Sequence, residues 1–325
     1  MFVVGGESLI DLKAEVALPG GQLTGRDGDN QIVMTAHPGG SPYNCAIALA
    51  KLGNETGFLC PISTDAFGDY LLGPLDAAGV TPLLPERVAE YTTLAVINFD
   101  SNHNARYGFY RQADGAIDAT KAIAALPEQL ELYQIGGFCP IKPDEAAQWL
   151  QVVAAAIAKG ATISIDPNVR PSLIDDFAGY KTRLLQFLDL THVVKMSEED
   201  LEALDSAKSI EQHATELLAR PHCELVVITL GDKGSRAFTA TGSAQAAIYA
   251  PPVFGDTVGA GDSLMAGILS WLDERDLLKP GPLSRLDDAA LAEMLKFGAV
   301  VAGINCGRKG CKPPTRAEVD VVLNA

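Results

Sequence analysis

The sequence predicts an α/β protein with a covered, mostly parallel sheet and a small β lid beside it. Three observations support this. Strand-length and helix-length apolar runs alternate along most of the 325 residues, the signature of βαβ units. Gly and Asp-Pro punctuate the ends of those runs, as at Gly53, Gly79 and Asp166-Pro167. Two segments fall outside the alternation, and one of them reads as a β-hairpin.

In order, Phe2 to Val4 is the first strand, and Tyr43 to Leu52 is a helix ending at Gly53. Gly57 to Ile62 is a strand, and Gly68 to Ala78 a helix stopped by Gly79. Leu132 to Ile135 is a strand, Pro143 to Lys159 a helix, and Thr162 to Ile165 a strand with Asp166-Pro167 at its carboxyl end. The rhythm continues through Thr182 to Leu188, His192 to Lys195, Glu198 to Leu204, Ile210 to Leu218 and Leu225 to Thr229. Outside it, Gln31 to Thr35 is a strand in a Gly-rich segment. Leu94 to Phe99, a polar turn at Asp100 to Asn104, and Arg106 to Tyr110 form the hairpin. The expected division is 1–12, 36–90 and 112–325 for the α/β part, with 13–35 and 91–111 as a lid over the sheet's carboxyl edge, where α/β ligands bind.

Composition narrows the function classes. The net charge of −16, from 25 basic and 41 acidic residues, repels nucleic acid and anionic membrane, and no basic block offsets it. The longest charge-free stretch, Ala237 to Gly255, is interrupted by polar residues and a Pro pair, so it is no membrane span. The start reads as a strand without a basic region, and the expected location is cytoplasmic. Six scattered cysteines with no C-x-x-C read as reduced, buried thiols.

The segment Gly255-Asp256-Thr257-Val258-Gly259-Ala260-Gly261-Asp262-Ser263 leads directly into the apolar run Leu264 to Leu272. Free amides and the positive end of a helix dipole there would seat an anion, and Asp262 could take a proton from a hydroxyl beside it. The same pattern also suits an ordinary helix cap. A second Gly-rich turn, Gly39-Gly40, opens the helix that carries Asn44 in its first turn, where amides and a carboxamide suit polyol hydroxyls. Asp166-Pro167-Asn168-Val169-Arg170 offers a carboxylate, an amide and a guanidinium beyond a strand's end. Lys195-Met196-Ser197-Glu198 follows another strand, and Thr229-Leu230-Gly231-Asp232-Lys233-Gly234 reads as a hairpin turn or a nucleotide shelf. There is no G-x-x-x-x-G-K-[ST] and no protein-kinase motif set.

Together and in this order, these segments resemble the ribokinase-like (PfkB) family of small-molecule kinases. Two stretches match its signatures: Gly39-Gly40 to Asn44 through Leu52-Gly53, and Asp256-Thr257 through Gly259-Ala260-Gly261-Asp262. The likeness is greatest to bacterial fructokinases, through Gly108 to Arg111, Asp166 to Pro171, Lys195 to Glu199 and Ile304 to Gly310. The resemblance implies a three-layer α/β/α fold with a β lid, and ATP-dependent phosphorylation of a ketose primary hydroxyl, fructose to fructose 6-phosphate. It implies Asp262 as base and the amides of Gly259, Ala260 and Gly261 as the phosphoryl seat. Asp11, Gly39, Gly40, Asn44, Arg111 and Arg170 would bind sugar. Lys195, Thr229, Gly231, Gly234 and Asn305 would meet the nucleotide, and Glu198 would organise Mg²⁺. A monovalent cation, K⁺, would lie among Asp256, Val258, Asn305, Arg308 and Gly310. Many relatives carry Asn-x-x-Glu where this chain is read as Lys195-Met196-Ser197-Glu198. Alternatives are a 2-keto-3-deoxygluconate kinase, which binds a sugar acid, and a sugar-binding regulator that has lost catalysis. The expected partners are sugar, ATP and a second copy through the lid.

Overall fold

The structure, a computed structural model, describes residues 1–14, 33–99 and 105–324. The described strands are β1 (Phe2–Gly5), β2 (Leu9–Ala14), β3 (Met34–Gly39), β4 (Thr56–Leu59), β5 (Thr81–Pro82), β6 (Leu94–Phe99), β7 (Ala105–Tyr110), β8 (Leu132–Gly136), β9 (Thr162–Asp166), β10 (Val193–Ser197), β11 (Leu225–Thr229), β12 (Ser235–Phe238) and β13 (Ser243–Ala246). The described helices are α1 (Ser41–Lys51), α2 (Ala66–Ala78), α3 (Ala119–Ala125), α4 (Pro143–Ala158), α5 (Phe177–Leu188), α6 (Glu198–Asp205), α7 (Ile210–Leu218), α8 (Ala260–Asp273), α9 (Asp288–Cys306) and α10 (Arg316–Leu323).

A nine-stranded sheet runs β13-β12-β11-β10-β9-β8-β1-β4-β5. It is parallel from β11 to β5, and β12 and β13 add an antiparallel meander at one edge. Side-chain alternation divides its core into two layers. Phe2 and Val4 pack with Tyr43, Leu49, Leu75, Leu269, Leu295 and Val319, so α1, α2, α8, α9 and α10 cover that face. Val3 points the other way, to Trp149, Val152, Tyr180, Leu201 and Leu217 on α4 to α7. The result is the three-layer α/β/α arrangement.

A second sheet, ordered β3-β2-β6-β7, pairs β2 with β3 antiparallel, β2 with β6 parallel, and β6 with β7 as the expected hairpin. Its strands reach further than the sequence division placed them. Leu9 pairs Gly39 and Leu12 pairs Ala36, so 9–12 and 36–39 belong to the small sheet. The ladder sets this boundary: it continues until Gly40, at φ 109, turns the chain into α1. Gln31, Ile32 and the Asp100–Asn104 turn lie outside the described residues.

The apolar helix α9 escaped the sequence reading. It is long and apolar enough to cross a membrane, but 61% of its apolar window is buried, against α8 and β13. Two glycines permit the α8–α9 approach: a Cβ on Gly267 would lie 3.0 Å from the Gly298 Cα. All six cysteines are free thiols, four of them buried.

Candidate functional site

Parallel strands end on one side of their sheet, and there Gly136, Asp166 and the first turns of α1 and α8 line a narrow crevice. At α8 the helix-cap reading of Asp262 is excluded. Gly259 is the N-cap, in the left-handed region at φ 72, with no side-chain cap bond, and Asp262 lies in the first turn. Asp262 instead accepts hydrogen bonds from α1, from Ser41 Oγ at 2.6 Å and Asn44 Nδ2 at 2.9 Å. Burial lifts its pKa to about 6; the Ser41 bond opposes that rise, the Asp166 charge reinforces it, and Asn44 and Lys195 oppose it. A carboxylate near neutrality, held by two donors, suits a general base.

Among the described residues the amides of Gly259, Gly261 and Asp262 have no backbone acceptor, while Ala260 donates to the Thr257 carbonyl at 3.1 Å. The open amides of this turn are therefore those of Gly259, Gly261 and Asp262, whereas the expected set was Gly259, Ala260 and Gly261. Gly259 is packed so closely that a Cβ would lie 2.3 Å from Cys311 Sγ.

On the sugar side the predicted residues converge. Gly39 lies so close to Asp11 that a Cβ there would be 2.4 Å from the carboxylate. Burial raises the pKa of Asp11 to about 6, the facing Arg170 opposes the rise, and Asp262 reinforces it. Arg170 sits on a loop whose Asn168 adopts φ 44, and the buried Asp200 fixes that loop by accepting the Val169 amide at 2.7 Å. Arg111 is a correction. Its guanidinium bonds Asp114 and Glu145 and lies over the Phe138 ring, and among the described residues no bond joins it to Asp11, Asn44 or Asp262. These contacts anchor it at the end of β7, while its buried Nη1 has no hydrogen-bond partner among the described residues.

On the nucleotide side a cleft of about 530 Å³ opens beside Thr257, Ala260 and Gly261. Thr229, Gly231 and Gly234 line it as expected, and Ile248, Tyr249, Phe254, Ala299 and Ala302 supply an apolar wall. The Thr229–Ser235 turn is the β11–β12 hairpin, and its residues line the cleft. Asn305 departs from its expected place. It is fully buried and outside the lining; its Nδ2 donates to the Val258 carbonyl at 2.8 Å and its Oδ1 accepts the Lys312 amide at 2.7 Å. It braces the anion loop rather than meeting adenine.

The expected cation residues are brought together as two apposed loops. Asp256 accepts the amides of Val258 and Gly310, and the Arg308 carbonyl lies against Gly255. At α6, a capping box pairs an N-cap side chain with an acceptor side chain three residues on, the same spacing as Asn-x-x-Glu. The structure has its capping box at Ser197 and Asp200, two residues beyond the assumed Lys195–Glu198 register. Glu198 stands at the helix start, 3.7 Å from Lys233. Lys195 is buried on β10 and ion-paired with Asp166 at 2.7 Å. Among the described residues no three His, Cys, Asp or Glu side chains cluster at metal spacing.

Sequence reading did not single out Ser41 or Glu7. Glu7 accepts the Ser41 amide at 3.2 Å and the Phe138 amide at 2.9 Å, and burial lifts its pKa to about 7. Pro42, behind Ser41, was the signal for the helix start. Nothing in the sequence joins Glu7 to either amide.

The chain matches the pfkB family carbohydrate kinase model over residues 1–318. It is 31% identical over 292 residues to fructokinase-1 of Zea mays, across 87% of each chain. It is 30% identical over 292 residues to a fructokinase of Rhizobium leguminosarum bv. trifolii, across 90% of this chain and 85% of the other. Its fold superposes on the ATP-bound fructokinase of Xylella fastidiosa with a TM-score of 0.82 at 23% identity, covering 99% of this chain and 98% of the other.

Proposed function

The chain belongs to the pfkB family of carbohydrate kinases, and from that membership we propose that it transfers the γ-phosphoryl group of ATP to fructose, giving fructose 6-phosphate. The observation that carries this is the setting of Asp262: held by Ser41 and Asn44, it lies beside open amides in the first turn of α8, the turn whose Ala260 and Gly261 line the nucleotide cleft.

In this reading Asp11, Gly39, Gly40, Asn44 and Arg170 hold the sugar hydroxyls and present a primary alcohol to Asp262. The alcohol oxygen attacks the γ-phosphorus, the bond to the β-phosphate oxygen breaks, and the proton passes to Asp262. An alcohol is a far weaker acid than a carboxylic acid, so proton transfer comes late and alignment with charge stabilisation dominates. Amides of Gly259, Gly261 and Asp262 meet the transferring group. The small sheet closes over the sugar and excludes water.

The donor set fits a divalent cation brought by the nucleotide: Glu198 presents a carboxylate at the start of α6, and its neighbour Glu199 lines the cleft. Bound there, Mg²⁺ would neutralise charge on the triphosphate. Carbonyls of Val258, Asn305 and Arg308, with Asp256 and Gly310, would form a K⁺ site beside the anion seat. A second copy would pair on the small sheet, near the exposed Tyr91 and Tyr110, and light scattering tests that.

A coupled assay with ATP and Mg²⁺ over fructose, ribose, 2-keto-3-deoxygluconate and adenosine, with and without K⁺, tests the proposal. Fructose is expected to give the highest kcat/KM. Preference for the sugar acid would overturn the substrate, and tight binding without turnover of any sugar would indicate a regulator.

A further inference from the structure

Gly261 is glycine without a backbone reason. Its φ is not positive, unlike that of Gly259. A Cβ there would meet one side chain, Lys195, with Nζ at 2.9 Å and Cε at 3.7 Å. The Lys195 ammonium therefore lies directly against the backbone unit whose amide is open in the anion seat. It is 5% exposed and is held by Asp166 Oδ2 at 2.7 Å. The other Asp166 oxygen is buried, with no hydrogen-bond partner among the described residues. Asp200 and Asp262 also face this ammonium, and their charges with that of Asp166 keep it protonated despite burial. A fixed ammonium among three carboxylates is costly to bury, and a hydrophobic replacement often matches such a pair in stability. Its place against the seat points to the reaction.

We propose that Lys195 is the fixed cation of the phosphoryl-transfer centre, that Asp166 positions it, and that Gly261 is glycine to leave room for its ammonium. This rests on the kinase reading above and deepens it. Lys195 exchanges no proton. Its charge meets the negative charge that grows on the phosphoryl oxygens as the bond to the leaving phosphate breaks, so its contribution falls on the transition state rather than on ATP binding.

Wild-type turnover of fructose by ATP comes first: no phosphorylation of any sugar overturns the kinase reading itself. Given turnover, Lys195→Met lowers kcat by about 100-fold, while the KM values for ATP and fructose move less than about threefold. A raised ATP KM at unchanged kcat overturns the proposal. Lys195→Met leaves Asp166 buried alone, so the paired variant Lys195→Met/Asp166→Met, which buries no lone charge, is measured beside it with melting temperatures. If it folds and keeps kcat within about threefold of wild type, the proposal fails. Asp166→Asn lowers kcat by about tenfold in the wild type and by less than about twofold in the Lys195→Met background. A merely structural aspartate would instead cost the same in both. Gly261→Ala, which leaves every charge in place, gives the last cycle: about tenfold loss with Lys195 present and less than about twofold with Lys195→Ala. Equal losses in the two backgrounds overturn the assignment of Gly261.

Discussion

Replacing Asp262 by asparagine separates what its carboxylate does for the reaction from what it costs the fold. The shape and both contacts to α1 survive, because Asn44 can still donate to the new carbonyl and the Ser41 hydroxyl can turn to accept. Burial is the main cause that moves the Asp262 pKa from 3.8 to about 6, and Asp166 adds to it. Two pH units correspond to about 3 kcal/mol carried by the charged form above pH 6. The side chain is partly open to the crevice, which reduces this to roughly 1–2 kcal/mol. Asp262→Asn should therefore raise Tm by a few degrees at pH 8, at roughly 2 °C per kcal/mol, and by about half as much at pH 5, where the folded carboxyl is protonated but the unfolded one, at its ordinary 3.8, is still ionised. Over the same substitution kcat should fall by about 1,000-fold, roughly 4 kcal/mol in the barrier. Differential scanning fluorimetry at both pH values and a coupled ADP-release assay measure the two effects. Turnover within about tenfold of wild type, or a Tm gain equal at pH 5 and pH 8, would refute the reasoning.

Three further outcomes follow from the same geometry. Activity should fall as pH drops through about 6, as Asp262 takes up a proton, while the fold gains stability in the same window. Glu7, Asp11 and Asp262 have raised folded-state pKa values, about 7, 6 and 6, so between there and their unfolded values the native chain binds more protons and is favoured as pH falls. Initial rates and melts at matched pH check this, and loss of activity tracking unfolding would count against it. Arg111→Met leaves Asp114 without its cation and Glu145 with only Lys142, at 3.8 Å, so urea melts should show a loss of about 3 kcal/mol, while the fructose KM moves little. Gly267→Val overpacks the α8–α9 crossing and should cost about 1–3 kcal/mol, with a raised ATP KM because α9 carries the Ala299 and Ala302 wall of the cleft.

Elements with local signals were legible. The expected Ile210 to Leu218 helix and Leu225 to Thr229 strand match α7 and β11, and Gly79 caps α2 in the left-handed conformation, at φ 77. Boundaries set by pairing were not. The small sheet's edges depend on where the β2–β3 ladder stops, and no residue between Leu9 and Gly39 marks that stop. Helix α9 was missed for a related reason: it is apolar on most sides, so it lacks the amphipathic period that betrays a half-exposed helix.

The site divides along the same line. Asp262, Gly39, Gly40 and Asn44 lie in two helix-opening turns whose sequence announces open amides, so their chemistry could be inferred before any contact was known. What the turns do to each other is tertiary. Ser41 meets Asp262 across 221 residues, Glu7 meets Phe138 across 131, and Lys195 meets Asp166 across 29. The Lys195 register shows how this limit leaves two alignments open. A Lys and a Glu three residues apart, and a Ser and an Asp three apart, overlap in one short stretch, and spacing alone chooses neither. The capping box decides it, because Ser197 and Asp200 satisfy each other's backbone and leave Lys195 on the buried strand. There its ammonium has no solvent to screen it, so the fold must supply a counter-charge, Asp166, and a space, Gly261. Asp262 is thus the half of the centre that the sequence exposes, and the cation opposite it is the half that only folding assembles.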